Sequence, residues 1–301
     1  MSKSHSLAAS APVGSIDLRQ NDPAAFLRHE IRARYGRVPE TISGLSVERG
    51  HCRLVGDEFL AWDHPIRFHY RRGEGVTVEL LERSRPGDEY LYLNGSVYAA
   101  VACINGFYPM HASAVAHDGA VHAFTGPSGA GKSTLVAALG ARGLPMFCDD
   151  TLVLDLSDPQ RPMALPGHKR LKLGPEALVL TGATAREPVG SGIDKHYADP
   201  PGGDWTSPLP LARLVFLEAG DPDEFVPITG AERMARLSDD HYTADFFRTA
   251  TQLDNAGLFH LQARLAGQIA MWRLVRRMDG RRFANLVKLA HDFVTAPQVQ
   301  P

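Results

Sequence analysis

The residues best suited to chemistry lie in one short segment, Gly126-Pro127-Ser128-Gly129-Ala130-Gly131-Lys132-Ser133. The segment fits the phosphate-binding pattern G-x-x-x-x-G-K-[S/T] at every fixed position. Glycines allow the backbone to approach phosphates, and N–H groups at the start of a helix attract anions. In this pattern Lys132 reaches the β- and γ-phosphates, and the Ser133 hydroxyl binds Mg²⁺. We therefore expect ATP and Mg²⁺ as cofactors, with nucleotide contacts from Gly126, Ser128, Gly129, Ala130, Gly131, Lys132, Ser133 and Thr134.

A pair of carboxylates, Asp149 and Asp150, follows this segment closely in the chain. The pair comes directly after the apolar run 144–148, which is typical of a buried strand. A carboxylate at the end of such a strand can hold Mg²⁺, and a second one beside it can accept the proton of an attacking hydroxyl. We assign the metal to Asp149 and the proton to Asp150, although the sequence alone leaves the reverse assignment open.

A histidine, His111, is expected at the mouth of the same segment. Residues 113–121 resemble a β-hairpin with Asp118-Gly119 as a two-residue turn. In that register His117 faces Ala120, and counting back pairs His111 with Gly126. A longer turn would shift the register, so the position of His111 depends on the turn.

The elements that position these residues follow from short-range signals. An apolar run at 120–125 predicts a buried strand, and 134–141 predicts a helix that ends near Gly143. Strand, glycine loop and helix is the order that phosphate binding requires. Further predicted elements are short strands between 42 and 92, a strand and then a helix over 90–108, strands at 151–156 and 213–218, and helices at 22–34, 231–237, 244–253, 258–269 and after Asp279.

Three polar stretches allow more than one interpretation. The basic stretch 167–172 is either a solvated strand edge or a phosphate or substrate contact. The long Gly- and Pro-rich stretch 190–204 is typical of a binding loop without regular structure. Its Lys195 and His196 would either close over the γ-phosphate as catalytic groups or simply face solvent. The arginines between 273 and 282 are expected on a solvated surface.

Composition excludes several classes of function. With 32 basic and 34 acidic residues the net charge is −2, so the basic footprint of a nucleic-acid binder is missing. The three cysteines are far apart and predict no disulfide framework and no metal site. No apolar run is long enough to span a bilayer or to act as a signal peptide, which predicts a cytoplasmic protein without a membrane partner. Residues 1–20 are small and polar, and we expect them to be a disordered tail.

His111-Ala-Ser, GPSGAGKST and the Asp149-Asp150 pair together resemble the HPr kinase/phosphorylase family. The chain is most similar to HPr-kinase-like proteins of bacterial gene clusters, including those that phosphorylate a serine of lasso-peptide precursors. The strong motifs cover 110–150, and weaker similarity continues at 165–178, 193–197 and 208–218. The resemblance implies an α/β fold with a P-loop kinase core of the HPr kinase C-terminal type at 106–297, an N-terminal β-rich region at 21–105 and C-terminal helices. It also favours a strand at 271–278 and is compatible with a homo-oligomer.

One departure from the family concerns the reverse reaction. The Glu-x-Arg-Gly stretch that bifunctional members carry after the aspartate pair is absent, and LPGHKRLKL stands in its place. The departure argues against phosphorolysis and, among acceptors, favours a precursor peptide over an HPr-like carrier protein.

The expected function is therefore that of an ATP-dependent serine kinase acting on a peptide or small protein. An HPr(Ser) kinase of carbon regulation, a small-molecule kinase and an ATPase stay open as alternatives. A transport ATPase is disfavoured because its Leu-Ser-Gly-Gly signature is missing and the aspartate pair comes too early. A non-catalytic binding module is disfavoured because it has no need of a base.

Overall fold

The computed structural model describes residues 18–63, 65–82, 84–85, 87–167, 170–190, 193–199, 205–238 and 242–297. It shows a mixed α/β fold. The N-terminal part contains helices α1 (Leu18–Asn21) and α2 (Pro23–Glu30), strands β1 (Ala33–Tyr35), β2 (Thr41–Ile42), β3 (Leu45–Ser46), β4 (His51–Val55), β5 (Glu58–Asp63), β6 (Ile66–Arg71) and β7 (Gly75–Leu80), and helices α3 (Glu89–Leu93) and α4 (Ser96–Ile104).

The rest of the chain supplies the elements around the glycine segment. Its strands are β8 (Tyr108–Met110), β9 (Ala112–His117), β10 (Ala120–Thr125), β11 (Met146–Cys148), β12 (Leu152–Asp155), β13 (Met163–Leu165), β14 (Leu171–Leu173), β15 (Ala185–Pro188), β16 (His196–Ala198), β17 (Leu209–Ala219), β18 (Glu224–Pro227) and β19 (Ala270–Arg276). Its helices are α5 (Lys132–Gly140), α6 (Pro175–Thr181), α7 (Ala231–Ser238), α8 (Tyr242–Thr251), α9 (Asn255–Gln268) and α10 (Phe283–Thr295), the last preceded by a 3₁₀ turn at Gly280–Arg282.

The N-terminal strands form a sheet in the order β1-β7-β6-β5-β4, antiparallel except for the parallel pair of β1 and β7. Along β6 the side chains of Ile66, Phe68 and Tyr70 are buried and alternate with more exposed ones, as expected for a sheet with one covered face. The strands predicted between 42 and 92 are confirmed for β4 to β7.

Helix α4 covers the buried face of this sheet and also contacts the second sheet. Its residues from Val97 to Ile104 are all buried, which fits a helix that is apolar on every side. The cluster that α4 forms with β5, β6 and β7 also includes Val153 and Leu165 of the second sheet. Helix α8 likewise contacts both sheets. Its Phe246 packs on Phe59 of the N-terminal sheet, and its Phe247 packs on Tyr108 of the second sheet. The predicted division at residues 105 and 106 stays a prediction.

The second sheet has the spatial order β11-β9-β10-β17-β13-β12-β8, with β19 and β18 continuing from β17. Strands β10, β17 and β19 are parallel neighbours, and β9 pairs antiparallel with both β10 and β11. Strands β10, β11, β17 and β19 therefore point the same way and end at one edge of the sheet. That edge carries the glycine segment, and it is where ligands bind in open α/β sheets.

Three sequence-based predictions are wrong or need correction. The strand expected at the start of 90–108 is a helix, α3. Its Tyr-Leu-Tyr-Leu alternation imitates a strand. Glu89, however, begins the helix, and its carboxylate is fixed there by hydrogen bonds from Tyr35 Oη at 2.5 Å and from Gly87 N at 2.8 Å. The stretch 190–204 is not entirely irregular, because β16 lies within it and pairs with β14 and β15. The predicted disordered tail falls outside the described residues except for 18–20, which belong to helix α1.

Other elements agree with prediction. The hairpin has Asp118-Gly119 as its turn, with φ values of 48° and 69°, and His117 pairs with Ala120. The strand favoured over the residues from Met271 onward is β19, and the helix after Asp279 is α10. No helix in the described part of the chain is long and apolar enough to cross a membrane.

A buried histidine in the central strand β10 makes the stability of the fold dependent on pH. His122 is 1% exposed, and neither ring nitrogen has a hydrogen-bond partner among the described residues. Burial first, and then the charge of Arg213, lower its pKa from 6.5 to about 3. Between pH 6.5 and about pH 3, His122 is therefore protonated in the unfolded chain but largely neutral in the folded chain. This histidine therefore lowers the free energy of unfolding as pH falls from 6.5, by up to roughly 1.4 kcal/mol per pH unit.

We predict that in His122→Leu the free energy of unfolding falls less between pH 7 and pH 5 than in the wild-type protein. Urea unfolding at the two pH values measures this difference. The exposed His51→Leu, the matched control, should keep the wild-type slope. A wild-type slope in His122→Leu would contradict the assignment.

Candidate functional site

The glycine loop, residues 126–131, connects the end of β10 to the start of α5. Gly126 and Gly131 have φ values of 146° and 81°, which side-chain-bearing residues rarely adopt. A Cβ on Gly126 would lie 3.1 Å from the Leu217 carbonyl oxygen, and one on Gly131 would lie 3.1 Å from Arg276 Nη2. The loop therefore needs glycine at both positions, for backbone conformation and for close approach. The predicted order of strand, loop and helix is confirmed.

Lys132 is the first residue of α5, and its side chain folds back onto the loop. Its Nζ donates to the carbonyl oxygens of Gly126 at 2.8 Å and of Pro127 at 3.1 Å. Burial lowers the pKa of Lys132, the charges of Asp150 and Asp149 oppose this shift, and the charge of Lys195 adds to it. A partly desolvated ammonium beside the loop is well placed to meet a phosphate.

The Asp149 carboxylate joins the loop helix to the neighbouring hairpin. Its Oδ1 accepts hydrogen bonds from Ser133 Oγ at 2.8 Å and from Ser113 Oγ at 2.6 Å, and its Oδ2 accepts one from Lys172 N at 3.3 Å. Asp149 is 1% exposed. Burial, and then the charge of Asp150, raise its pKa, while the two serine hydrogen bonds act in the opposite direction. The carboxylate is thus bound directly by uncharged donors and would gain from a nearby cation.

Sheet topology explains why Asp149 reaches Ser133. Strands β10 and β11 both pair with β9, so the loop after β10 and the aspartate pair after β11 lie at the same edge. Strand β9 begins at that edge, because Ala112 pairs with Thr125. Ser113, one residue further along, is therefore within reach of Asp149. Ser113 was not selected from the sequence, since nothing in its local pattern distinguishes it.

Asp150 is held by charged groups instead. Its Oδ2 is 2.6 Å from Lys172 Nζ and its Oδ1 is 3.5 Å from His111 Nδ1, which also lies 3.0 Å from the Asp150 carbonyl oxygen. Its φ of 69° is left-handed, a conformation that Asp adopts more readily than most residues. Burial acts to raise the pKa of Asp150, but Lys172, His111 and Lys132 outweigh it and lower the pKa below the ordinary value. Asp150 is therefore ionised at neutral pH.

The hairpin places His111 near the loop, as the register predicted. Thr125 Oγ1 donates to the His111 carbonyl oxygen at 3.0 Å, which ties the end of β10 to the start of β9. The His111 side chain is 15% exposed and faces Asp150. The structure thus brings together His111, Lys132, Ser133, Asp149 and Asp150.

Lys195 lies near this group, and His196 follows it at the start of a strand that pairs with β14. Lys195 is exposed, and it is close enough to lower the pKa of Lys132. His196 begins β16, and its Nδ1 is buried without a hydrogen-bond partner in the described part of the chain. Their catalytic roles stay predictions, as do the nucleotide contacts expected from Ser128, Gly129, Ala130 and Thr134.

Two basic residues of the site were not selected from sequence. Lys172, in the stretch predicted to be a solvated edge or a phosphate contact, is half-buried and forms an ion pair with Asp150. His168 and Lys169 of that stretch lie outside the described residues. A Cβ on Gly167 would lie only 2.8 Å from Cys148 Cβ, so the glycine lets this segment pass close to the aspartate pair. Arg276 was expected on a solvated surface but is 7% exposed and donates through Nη2 to the Ala130 carbonyl oxygen.

The oxygen atoms of Ser133 and Asp149 match the ligand preference of Mg²⁺. This ion prefers oxygen ligands, and in proteins it usually keeps several waters and substrate phosphates as well. Ser133 Oγ and Asp149 Oδ1 are hard oxygen ligands 2.8 Å apart, and the bonds to the buried carboxylate from the described residues come from two hydroxyls and one backbone N–H. Across the described residues, no three His, Cys, Asp or Glu side chains cluster as an all-protein metal cage would require. The set therefore fits Mg²⁺ held together with phosphates.

Comparison with protein-family models and with curated proteins gives no match. Among solved structures, the chain is similar to the HPr(Ser) kinase/phosphatase from Coxiella burnetii, with 11% sequence identity and a TM-score of 0.29. The similarity covers 62% of this chain and 95% of that one. A TM-score this low carries no argument about fold or function, so any functional assignment depends on the residues themselves.

The ion pair between Lys172 and Asp150 gives a direct test of the site's electrostatics. We predict that Lys172→Met raises the pKa of Asp150, because the largest charge that favours its ionised form is removed. The pKa can be followed by ¹³C NMR of labelled aspartate carboxyl groups.

Lys288→Met is the matched control, because Lys288 forms an exposed ion pair with Asp292 on α10. It should leave the pKa of Asp150 unchanged. An unchanged pKa in Lys172→Met would show that the ion pair does not govern Asp150.

Proposed function

We propose that the protein is an ATP-dependent kinase that transfers the γ-phosphoryl group of ATP to a serine hydroxyl of a peptide or small protein. The observation that carries this proposal is the hydrogen bond between Ser133 Oγ and Asp149 Oδ1, 2.8 Å long, with Asp150 next in the chain. A glycine loop alone would account for phosphate binding. A loop hydroxyl that donates to one carboxylate, with a second carboxylate next in the chain that is paired with a lysine and a histidine, supports phosphoryl transfer.

Binding of the donor is assigned to the glycine loop and the start of α5. The N–H groups of the loop and the positive end of α5 would hold the β- and γ-phosphates. Lys132 Nζ would exchange the carbonyl oxygens of Gly126 and Pro127 for phosphate oxygens. Ser133 and Asp149 would hold Mg²⁺, which neutralises phosphate charge when bound.

Asp150 is assigned as the group that receives the proton. The serine oxygen forms a bond to the γ-phosphorus, the bond from that phosphorus to the β–γ bridging oxygen breaks, and ADP leaves with the electron pair. The serine proton passes to an Asp150 carboxylate oxygen. A lowered pKa makes Asp150 a weak base, which suits a loose transition state in which electrostatics and positioning contribute most of the catalysis.

His111 and Lys172 are assigned positioning roles around Asp150. Their contacts to separate carboxylate oxygens, at 3.5 Å and 2.6 Å, fix the orientation of the group that faces the acceptor. Lys195 and His196 are assigned to the γ-phosphate, where a cation would stabilise the charge of the transition state.

The acceptor we favour is a serine of a ribosomally made precursor peptide of the lasso type. This choice is supported by the motif resemblance at 110–150 and by the missing Glu-x-Arg-Gly stretch. An HPr-like carrier protein and a small-molecule acceptor are the competing choices, and the same assay separates them.

The proposal predicts phosphate transfer detectable by mass spectrometry. The protein is incubated with Mg-ATP and either a serine-ended lasso precursor peptide or an HPr protein. Lys132→Ala should abolish transfer because the donor phosphates lose their cation. Asp150→Asn should lower the rate by about 10²-fold or more while ATP binding persists, because the proton acceptor is removed.

Asp292→Asn, an exposed aspartate on α10, is the control and should keep wild-type transfer. Wild-type transfer by Asp150→Asn would remove it from the proton-accepting role. Hydrolysis of ATP with neither acceptor modified would favour a small-molecule kinase or an ATPase.

A further inference from the structure

A cavity of about 460 Å³ lies between helix α3 and the end of strand β15. One wall consists of Tyr35, Arg85 and residues 87–90, and the other consists of residues 187, 188 and 190. The volume falls in the range typical of sites that bind small molecules or side chains. Neither the glycine loop nor the aspartate pair lines this cavity, so binding of the donor does not account for it.

Helix α3 connects the cavity to Asp150. Glu89, the first residue of the helix, lines the cavity, and Gly95 follows two residues after the helix ends. A Cβ on Gly95 would lie 3.5 Å from Asp150 Oδ2. At about 1.5 Å per residue, Glu89 and Gly95 are roughly 9 Å apart along the helix. An extended peptide covers this distance in about three residues, so a serine at Asp150 would have a near neighbour in the cavity.

A buried tyrosine lies between the cavity and the aspartate pair. Tyr197 pairs with Lys172 across β16 and β14, so the two side chains share a face, and Lys172 Nζ is 2.6 Å from Asp150 Oδ2. Burial raises the pKa of Tyr197, and the charge of Asp150 raises it further. Asp88 and Glu89, two carboxylates of the cavity, act in the same direction.

The Tyr197 hydroxyl is available to a ligand on this path. The side chain is 2% exposed, and the hydroxyl has no hydrogen-bond partner among the described residues. A buried hydroxyl without a partner is costly, and a peptide that passes from the cavity to Asp150 would bring backbone groups to satisfy it.

The described lining of the cavity is predominantly acidic. Asp88, Glu89 and Glu187 contribute three carboxylates, and Arg85, which is exposed, contributes one guanidinium. Glu187 forms an ion pair with Arg170. Asp88 Oδ2 accepts a hydrogen bond from the backbone N–H of Arg85 at 3.1 Å. The lining therefore favours a positively charged occupant.

Glu89 is the most buried of the three carboxylates, at 2% exposure. Its bonds from the described residues come from uncharged groups, Tyr35 Oη at 2.5 Å and Gly87 N at 2.8 Å. A cation in the cavity would offset the cost of burying this charge. Tyr35 and Tyr90, 65% and 45% exposed, add aromatic rings to the lining. Carboxylates combined with aromatic rings suit a guanidinium, which can pair with the former and stack on the latter.

We infer that this cavity binds a basic side chain of the acceptor peptide, preferably arginine, a few residues away from the serine that receives the phosphoryl group. The inference rests on the proposed function, because it takes Asp150 as the position of the acceptor hydroxyl. It adds a sequence requirement for the acceptor, and it assigns a role to helix α3.

The test uses short peptides with one serine and with arginine at a single position, up to four residues before or after that serine. Peptides with glutamine at the same position are the reference, and phosphorylation by Mg-ATP is followed by mass spectrometry. At the best position, arginine should raise kcat/KM about tenfold or more. The gain should appear mainly in KM, because the contact is equally strong in the ground state and in the transition state.

A charge reversal in the cavity should reverse this preference. Asp88→Lys places a cation at the lining, so the variant should phosphorylate a peptide with glutamate at the best position faster than the arginine peptide. Phosphorylation of the glutamate peptide shows at the same time that the variant is folded and its glycine loop intact. If Asp88→Lys fails to fold, Glu89→Gln makes a smaller change and should lower the ratio of kcat/KM for arginine over glutamine towards one.

Glu224→Lys is the matched control, because it makes the same change of charge sign at an exposed residue of β18 outside the cavity lining. It should keep the wild-type preference for the arginine peptide.

The inference is overturned if the wild-type protein phosphorylates the arginine and glutamine peptides equally at every position. It is also overturned if a folded cavity variant keeps the wild-type preference for arginine. If the wild-type protein phosphorylates no serine peptide, with or without arginine, the proposed function itself fails. The two failures are therefore distinguishable.

Discussion

A single buried carboxylate oxygen connects the separate parts of the candidate site. Asp149 Oδ1 accepts hydrogen bonds from Ser113 of the hairpin and from Ser133 of the loop helix. Burying a carboxylate is costly unless its oxygens are satisfied, so β9, β11 and the start of α5 must keep their relative positions. Asp150 follows directly, and its position is set by Lys172 and His111. The proposed phosphoryl transfer depends on this arrangement.

Much of this arrangement could be predicted from sequence, because its determinants are local. The two-residue turn at Asp118-Gly119 sets the hairpin register, which in turn places His111 beside the loop. The glycine pattern between a strand and a helix follows from backbone conformation at Gly126 and Gly131. The α/β class was implied by the motif resemblance at 110–150, and the order of strands and helices agrees with it.

The residues that sequence reasoning missed depend on contacts between distant segments. Lys172 reaches Asp150 because Gly167 allows a close approach to Cys148. Arg276 reaches Ala130 because β19 runs parallel to β17, which runs parallel to β10, so all three end at the same edge. Neither contact leaves a local signal, since a basic side chain near a strand end looks like a solvated one. Helix α3 was missed for a related reason, because its alternating pattern imitates a strand.

The central claim is that the glycine loop and Asp149 bind Mg-ATP together, and a crystal structure with Mg²⁺ and a non-hydrolysable ATP analogue tests it most directly. We expect Ser133 Oγ and Asp149 at the metal, directly or through one water. We also expect Lys132 Nζ on the β- and γ-phosphates, away from the carbonyl oxygens of Gly126 and Pro127. A nucleotide bound elsewhere would contradict the claim, and so would a loop-bound nucleotide with no metal beside Asp149 and with Asp149 Oδ1 still bonded to Ser113 and Ser133.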